Sequence, residues 1–156
     1  MKEKSIQLPQ LNLPAFQPTL RKKEEYAEIF DVFRKKWVRL TPEEWVRQCF
    51  LNMLTEKLHY PPGRIGVEFQ VVYAGMSRRT DAVVYDEWGK PVVIVECKAP
   101  QIDINEDVFL QAAMYNKHLR AQYFFLTNGL VHICANISNA PHEIKYSEKI
   151  PEYSQL

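Results

Sequence analysis

The sequence predicts an α/β fold in which helices flank a mixed central sheet, with elements in the order ααβββαββ. Three observations carry this expectation. Apolar residues at helical spacing occur on both sides of a β-rich middle. That middle contains RRTDAVVYDEWGKPVVIVECKAP at residues 78–100, two β-rich runs around a turn, which is the pattern of a hairpin. Its second run, 92–97, is apolar at successive positions, as in a strand covered on both faces.

Taken in order, residues 1–20 contain three prolines and little periodicity and are expected to form an extended arm. Tyr26, Ile29, Phe30, Phe33 and Trp37 recur at helical spacing and predict an amphipathic helix over 21–36. A second helix is expected from Thr41. Thr41-Pro42-Glu43-Glu44 supplies a capping hydroxyl, a proline at the first helical position and a glutamate three residues after the cap. Val46, Cys49, Phe50, Met53 and Leu54 form its core side, and Tyr60-Pro61-Pro62-Gly63 stops it. Strands follow over 67–73 and 78–85, joined through Ala74-Gly75-Met76, and over 92–97, which Pro100 ends. Val108, Ala112, Tyr115 and Leu119 mark a helix over 105–119. Strands at 123–126 and 131–137, around Thr127-Asn128-Gly129, close the sheet. The expected domain therefore covers 21–140, with the arm before it and a tail at 141–156.

Composition narrows the class. A chain of 156 residues suits one compact domain. Its 46% hydrophobic and 25% charged residues are ordinary for a globular protein. No run approaches the roughly 18 apolar residues of a membrane span, and the N-terminus has no signal-peptide pattern. Cys49, Cys97 and Cys134 are odd in number and widely spaced, which argues against a disulfide framework or a zinc motif, so a reduced cytoplasmic protein is expected. His59, His118, His132 and His142 follow no metal-ligand spacing. A net charge of +1 advertises no general affinity for nucleic acid. The charge is uneven, however: residues 1–40 hold nine Lys/Arg against five Asp/Glu. Both a solvated surface and an arm and first helix that track a phosphate backbone fit that excess.

The chemistry gathers on the hairpin. Glu96 and Lys98 share one face of their strand while Cys97 faces the other. With a four-residue loop Glu87-Trp88-Gly89-Lys90, Asp86 pairs with Pro91 and Asp81 falls across from Glu96; a slip of one residue would send Asp81 to the opposite face. Two neighbouring carboxylates repel unless a cation joins them. Mg²⁺, for which Mn²⁺ can substitute, suits such an oxygen site, with the Cys97 backbone carbonyl as a further ligand. Lys98 beside it would orient or deprotonate a water and neutralise charge developing on phosphate. A structural Lys98–Glu96 or Lys98–Asp81 ion pair also satisfies the spacing.

Asp81 followed by Glu96-Cys97-Lys98 on an apolar strand resembles the core of the PD-(D/E)xK, restriction-endonuclease-like nucleases. IVECKAP, with TPEEWVRQ upstream and RRTDAVVYD between them, resembles the N-terminal nuclease domain of type I restriction enzyme R subunits, and more closely the short stand-alone bacterial proteins named after that domain. The similarity runs over about 29–137. It implies Asp81 and Glu96 as metal ligands, Lys98 as the catalytic lysine, DNA as substrate and a 5′-phosphate product. The family's first helix contributes a further glutamate. Glu43 and Glu44 are the candidates; Glu44 is the natural capping-box partner of Thr41, and Glu43 lies on the side that faces the sheet. Gln111 and Tyr115 match the Q-x-x-x-Y motif of the RecB-like branch and share one helical face, where they would reach phosphate or hold the carboxylates; Tyr115 also fits the core stripe. Thr80 stands where the family name has proline.

Arg78 and Arg79 fit either a phosphate contact or a pair with Asp81. R subunits continue into a DNA-pumping motor, for which 156 residues leave no room, so a separate motor or specificity protein is an expected partner. The competing expectation is a catalytically idle nuclease fold that binds nucleic acid or a partner protein.

Overall fold

The computed structural model describes residues 6–156; within them the side chains of Phe69, Val71, Tyr73, Met76 and Arg78 lie outside the description. The chain opens with a three-stranded antiparallel sheet, β1 (Leu20–Lys22), β2 (Ala27–Asp31) and β3 (Lys36–Arg39), in that order. This sheet replaces the helix expected over 21–36. The Asp31 carboxylate accepts the N–H groups of Phe33 (2.8 Å) and Arg34 (3.1 Å), closing a turn in which Lys35 takes a φ of 52°. A side chain that binds these amides competes with helix formation. Phe30 and Trp37 meet across a strand pair, with ring centroids 5.5 Å apart, and not along a helix face. Ile29 packs inward on Trp45 and Cys49.

Helix α1 (Pro42–Glu56) follows, with the Thr41 hydroxyl accepting the Glu44 N–H at 3.1 Å as expected of the cap. The main sheet contains β4 (Ile65–Tyr73), β5 (Met76–Tyr85), β6 (Pro91–Cys97), β7 (Tyr123–Thr127), β8 (His132–Asn136) and β9 (Lys145–Ser147), in the order β4-β5-β6-β7-β8-β9. Neighbours are antiparallel except β6 and β7, which are parallel and joined through helix α2 (Glu106–Tyr115). Val93, Val95 and Cys97 join Val46, Phe50 and Leu54 on the α1 side. Ile94 joins Phe109, Ala113, Phe124 and Leu126 on the α2 side. Strand β6 is apolar on both faces because both faces are covered.

The β5–β6 turn departs from the expected four-residue loop, yet the register beyond it is the same. Asp86 belongs to the loop, where its carboxylate accepts the N–H groups of Trp88 (2.8 Å) and Lys90 (2.9 Å), and Tyr85 is the partner of Pro91. A bulge then leaves Val92 unpaired, and the ladder resumes with Val84 opposite Val93 and Ala82 opposite Val95. Carried one step further, it sets Asp81 across from Glu96.

The phase of α2 also differs. Its buried residues are Phe109 and Ala113, while Tyr115, expected within a core stripe, is 50% exposed. Residues on both sides of the domain expected over 21–140 are built into the fold. Leu11 and Leu13 pack on the core, the Asn12 N–H donates to the Gly129 carbonyl (2.8 Å), and Trp45 Nε1 donates to the Pro9 carbonyl (2.9 Å). Gly129 has a φ of 84°, and a Cβ there would lie 2.8 Å from Leu11, so this approach needs glycine. Of the segment expected as an extended arm, the described residues 6–19 form a strap docked on the core. Residues 141–156, expected as a tail, add β9 to the sheet edge, and Tyr153 meets Tyr60 edge to face and donates to the Tyr85 carbonyl at 3.0 Å.

Candidate active site

The carboxyl end of β6, where the chain leaves for the crossover helix, carries the site; the ends of strands at such crossovers are where open α/β sheets bind ligands. Asp81 on β5 is fixed through both oxygens. Its Oδ2 accepts the Cys97 N–H at 2.8 Å and its Oδ1 takes Arg47 Nη1 at 3.3 Å. Lys98 Nζ stands 3.7 Å from Glu96 Oε2, and the Lys98 N–H donates to the Thr127 carbonyl at 2.8 Å. The Thr127-Asn128-Gly129 turn thus anchors the lysine backbone. Asn128 also ties down the β6–α2 loop through a 2.9 Å bond to the Ile102 carbonyl. The Cys97 carbonyl, expected as a ligand, closes β6 between Glu96 and Lys98.

Glu96, Lys98, Gln111 and Tyr115 line one open cleft of about 380 Å³, with Val108, Ala112 and Asn116. Glu43, exposed in the first turn of α1, stands within electrostatic reach, because its charge opposes ionisation of Asp81 and Glu96. Burial pushes the Glu96 carboxyl up to about 7; Asp81 and Glu43 add to this, and Lys98 offsets part of it. Burial raises Asp81 too, against the Cys97 N–H and Arg47, which favour its anion. Burial likewise raises the Cys97 thiol, on the opposite face of β6.

Beside this cluster lies an arginine network that the sequence reading did not single out. Arg47 on α1 is buried; it pairs with Glu44, with Glu68 at 3.2 Å and with Asp81 at 3.3 Å. Arg34, from the turn after β2, pairs with Asp31, with Glu44 at 2.9 Å and with Glu68 at 2.9 Å. Glu44 also accepts from Gln48 at 2.9 Å. Its carboxylate therefore serves these partners and not the capping box expected with Thr41. Arg79, 70% exposed, reaches Glu68 at 3.6 Å and not Asp81; the expectation for Arg78 lies outside the described side chains. Glu68 takes a φ of 52° inside β4, a costly conformation for a residue other than glycine. The available signal was the i, i+3, i+4 spacing of Glu44, Arg47 and Gln48, which puts all three on one helical face.

Among the described residues, no three His, Cys, Asp or Glu side chains gather closely enough to form a ready metal cage. The donor set nonetheless fits a hard divalent cation. Asp81, Glu96 and Glu43 offer only oxygen, and burial, the main cause that raises the carboxyls of Asp81 and Glu96, disfavours charges that a cation would favour.

Residues 42–151 match the family described as Type I restriction enzyme R protein N terminus (HSDR_N). Among solved structures, the chain is similar to a fragment of a protein assigned as an HsdR subunit of a type I restriction enzyme from Vibrio vulnificus YJ016, at 16% identity and a TM-score of 0.53. The likeness covers 75% of this chain and only 24% of that one. No curated protein matches.

Proposed function

Because this chain belongs to the family of type I restriction enzyme R protein N-terminal domains, we propose that it is a metal-dependent nuclease hydrolysing DNA phosphodiester bonds in the cleft between β6 and α2. The observation that carries this reading is that Glu96 and Lys98 share an open cleft with Gln111 and Tyr115 while Asp81 lies in the next strand. Asp81, Glu96 and Glu43 would hold a Mg²⁺ or Mn²⁺ ion. When bound, the ion supplies Lewis-acid polarisation of the scissile phosphate and the attacking water. Lys98 meets the negative charge that grows on the phosphate oxygens, an electrostatic role suited to an ammonium beside carboxylates. Gln111 and Tyr115 donate hydrogen bonds to phosphate and set its orientation. Water forms the new P–O bond as the bond to the 3′ oxygen breaks, leaving a 5′-phosphate and a 3′-hydroxyl. Arg79 reaches the flanking backbone, and a separate motor or specificity protein directs the cut. The buried free thiols of Cys49, Cys97 and Cys134 suit a reducing cytoplasm.

The test is cleavage of linear, supercoiled and single-stranded DNA with Mg²⁺, Mn²⁺ or EDTA, with Lys98→Ala as control. Expected is cutting that needs the ion and Lys98. A second reading, an idle scaffold that only binds DNA, has support in the hold of Arg47 on Asp81. Ion binding with no cleavage of any substrate would select it.

A further inference from the structure

Arg47 lies where a metal ligand should be free. One nitrogen, Nη1, stands 3.2 Å from Glu68 Oε1 and 3.3 Å from Asp81 Oδ1, so the same atom is shared between two carboxylates at nearly equal distance. Asp81 Oδ2 is already committed to the Cys97 N–H. Oδ1, which no backbone amide holds, is the oxygen Arg47 touches, so an ion on that side of the carboxylate would meet the guanidinium. The other end of the guanidinium is pinned to Glu44, and Nε is buried with no hydrogen-bond partner among the described residues. On the far side, Glu68 accepts strain at its own backbone, and Arg34 and Arg79 hold it in place.

We infer that Arg47 is an internal counter-cation for Asp81, which a divalent ion must displace, and that Glu68 is the carboxylate that receives the guanidinium when it leaves. This rests on the metal site proposed above and adds a positioning residue to it. With the ion absent, Arg47 neutralises Asp81 and keeps the sheet end intact. With the ion present, like charges oppose each other, and a shift of Nη1 toward Glu68 relieves the repulsion without exposing the arginine. Arg47 therefore sets the ion concentration at which the site fills.

Calorimetric titration of the full chain with Mn²⁺ tests this. Arg47→Met removes the competing charge, so the affinity should rise about tenfold, the scale of one nearby like charge. Glu68→Gln takes away the receiving carboxylate and should weaken binding by roughly threefold or more. In the Arg47→Met background, Glu68→Gln should change nothing, because it acts through the arginine. If Glu68→Gln weakens binding there as well, Glu68 touches the ion directly and the relay through Arg47 is overturned. Should Arg47→Met fail to fold, Glu68→Gln and a Mg²⁺-dependent shift of the Arg47 Nε–H resonance in the parent decide; no shift overturns the inference. A parent that binds Mn²⁺ and cuts DNA while folded Arg47→Met binds no tighter defeats the inference and leaves the nuclease standing. Affinities in the expected order without any cleavage do the reverse. If the parent binds no Mn²⁺, Arg47→Met must gain binding, and its failure to do so also defeats the inference.

Discussion

Glu68 and Glu96 stand on the strands either side of Asp81, in one sheet, yet their carboxyls are pushed in opposite directions. Burial works against the charge of Glu68, but Arg47 and Arg34, helped by Arg79, outweigh it and hold the carboxyl below its ordinary range. At Glu96, burial and the charges of Asp81 and Glu43 carry the carboxyl to about 7, and Lys98 offsets only part. The supply of fixed cations makes the difference. Arg34 and Arg47 arrive from two separate elements and complete one cluster, whereas Glu96 has Lys98 alone beside it as an ion-pair partner among the described residues.

The sharpest way to break this contrast is to remove one cation from each cluster. Arg34→Met leaves the buried Asp31 without its cation and Glu44 and Glu68 with Arg47 as the remaining buried one, and denaturant unfolding should show a loss of about 3–5 kcal/mol. Lys98→Met removes a partly exposed pair and should cost less than about 1 kcal/mol. Equal losses would mean that the two clusters do the same structural work.

Activity should rank the same residues the other way. Lys98→Ala should reduce cleavage by about a hundredfold or more while the melting temperature barely moves. Lys98→Arg should rescue little, since the planar fork replaces a compact ammonium. A fully active Lys98→Ala protein would remove the lysine from the mechanism.

Stability against pH separates the clusters without any substrate. The folded carboxyl of Glu96 lies above its unfolded value of 4.5, at about 7. Its contribution is complete below the unfolded value and is lost as pH rises through about 7, a fall of roughly 3 kcal/mol at most in the metal-free protein. Glu96→Gln should erase that limb, and Mg²⁺ should restore stability above it. Glu68 has the opposite sign: lowered in the fold, it contributes above its unfolded value, and that contribution is lost in acid. Glu68→Gln should flatten only the acid limb. Unfolding curves from pH 4 to 9 read both, and a neutral limb that survives Glu96→Gln would reassign it.

The smallest effect concerns the cleft wall. Gln111→Ala, exposed on α2, should slow cleavage by about tenfold, the worth of one hydrogen bond, and leave the unfolding midpoint unchanged.

What the sequence by itself determined was local or periodic. The Thr41 cap, the two-sided apolar run of β6 and the shared face of Glu96 and Lys98 follow from backbone geometry over a few residues. The Asp81–Glu96 register was readable despite a misjudged turn, because the bulge at Val92 absorbs the extra loop residue. Tertiary structure decided the rest. Residues 20–39 carry an apolar spacing that a helix and a strand pair both satisfy, and the Asp31 turn with the surface offered by Trp45 and Cys49 selected the strands. The strap at 6–19 needed the groove beside Gly129 before its leucines had anywhere to go. The division of carboxylates into compensated and uncompensated was beyond any local pattern, because Arg34, Arg47 and Arg79 come from three segments, and Coulomb energy depends on distances that only the folded chain sets.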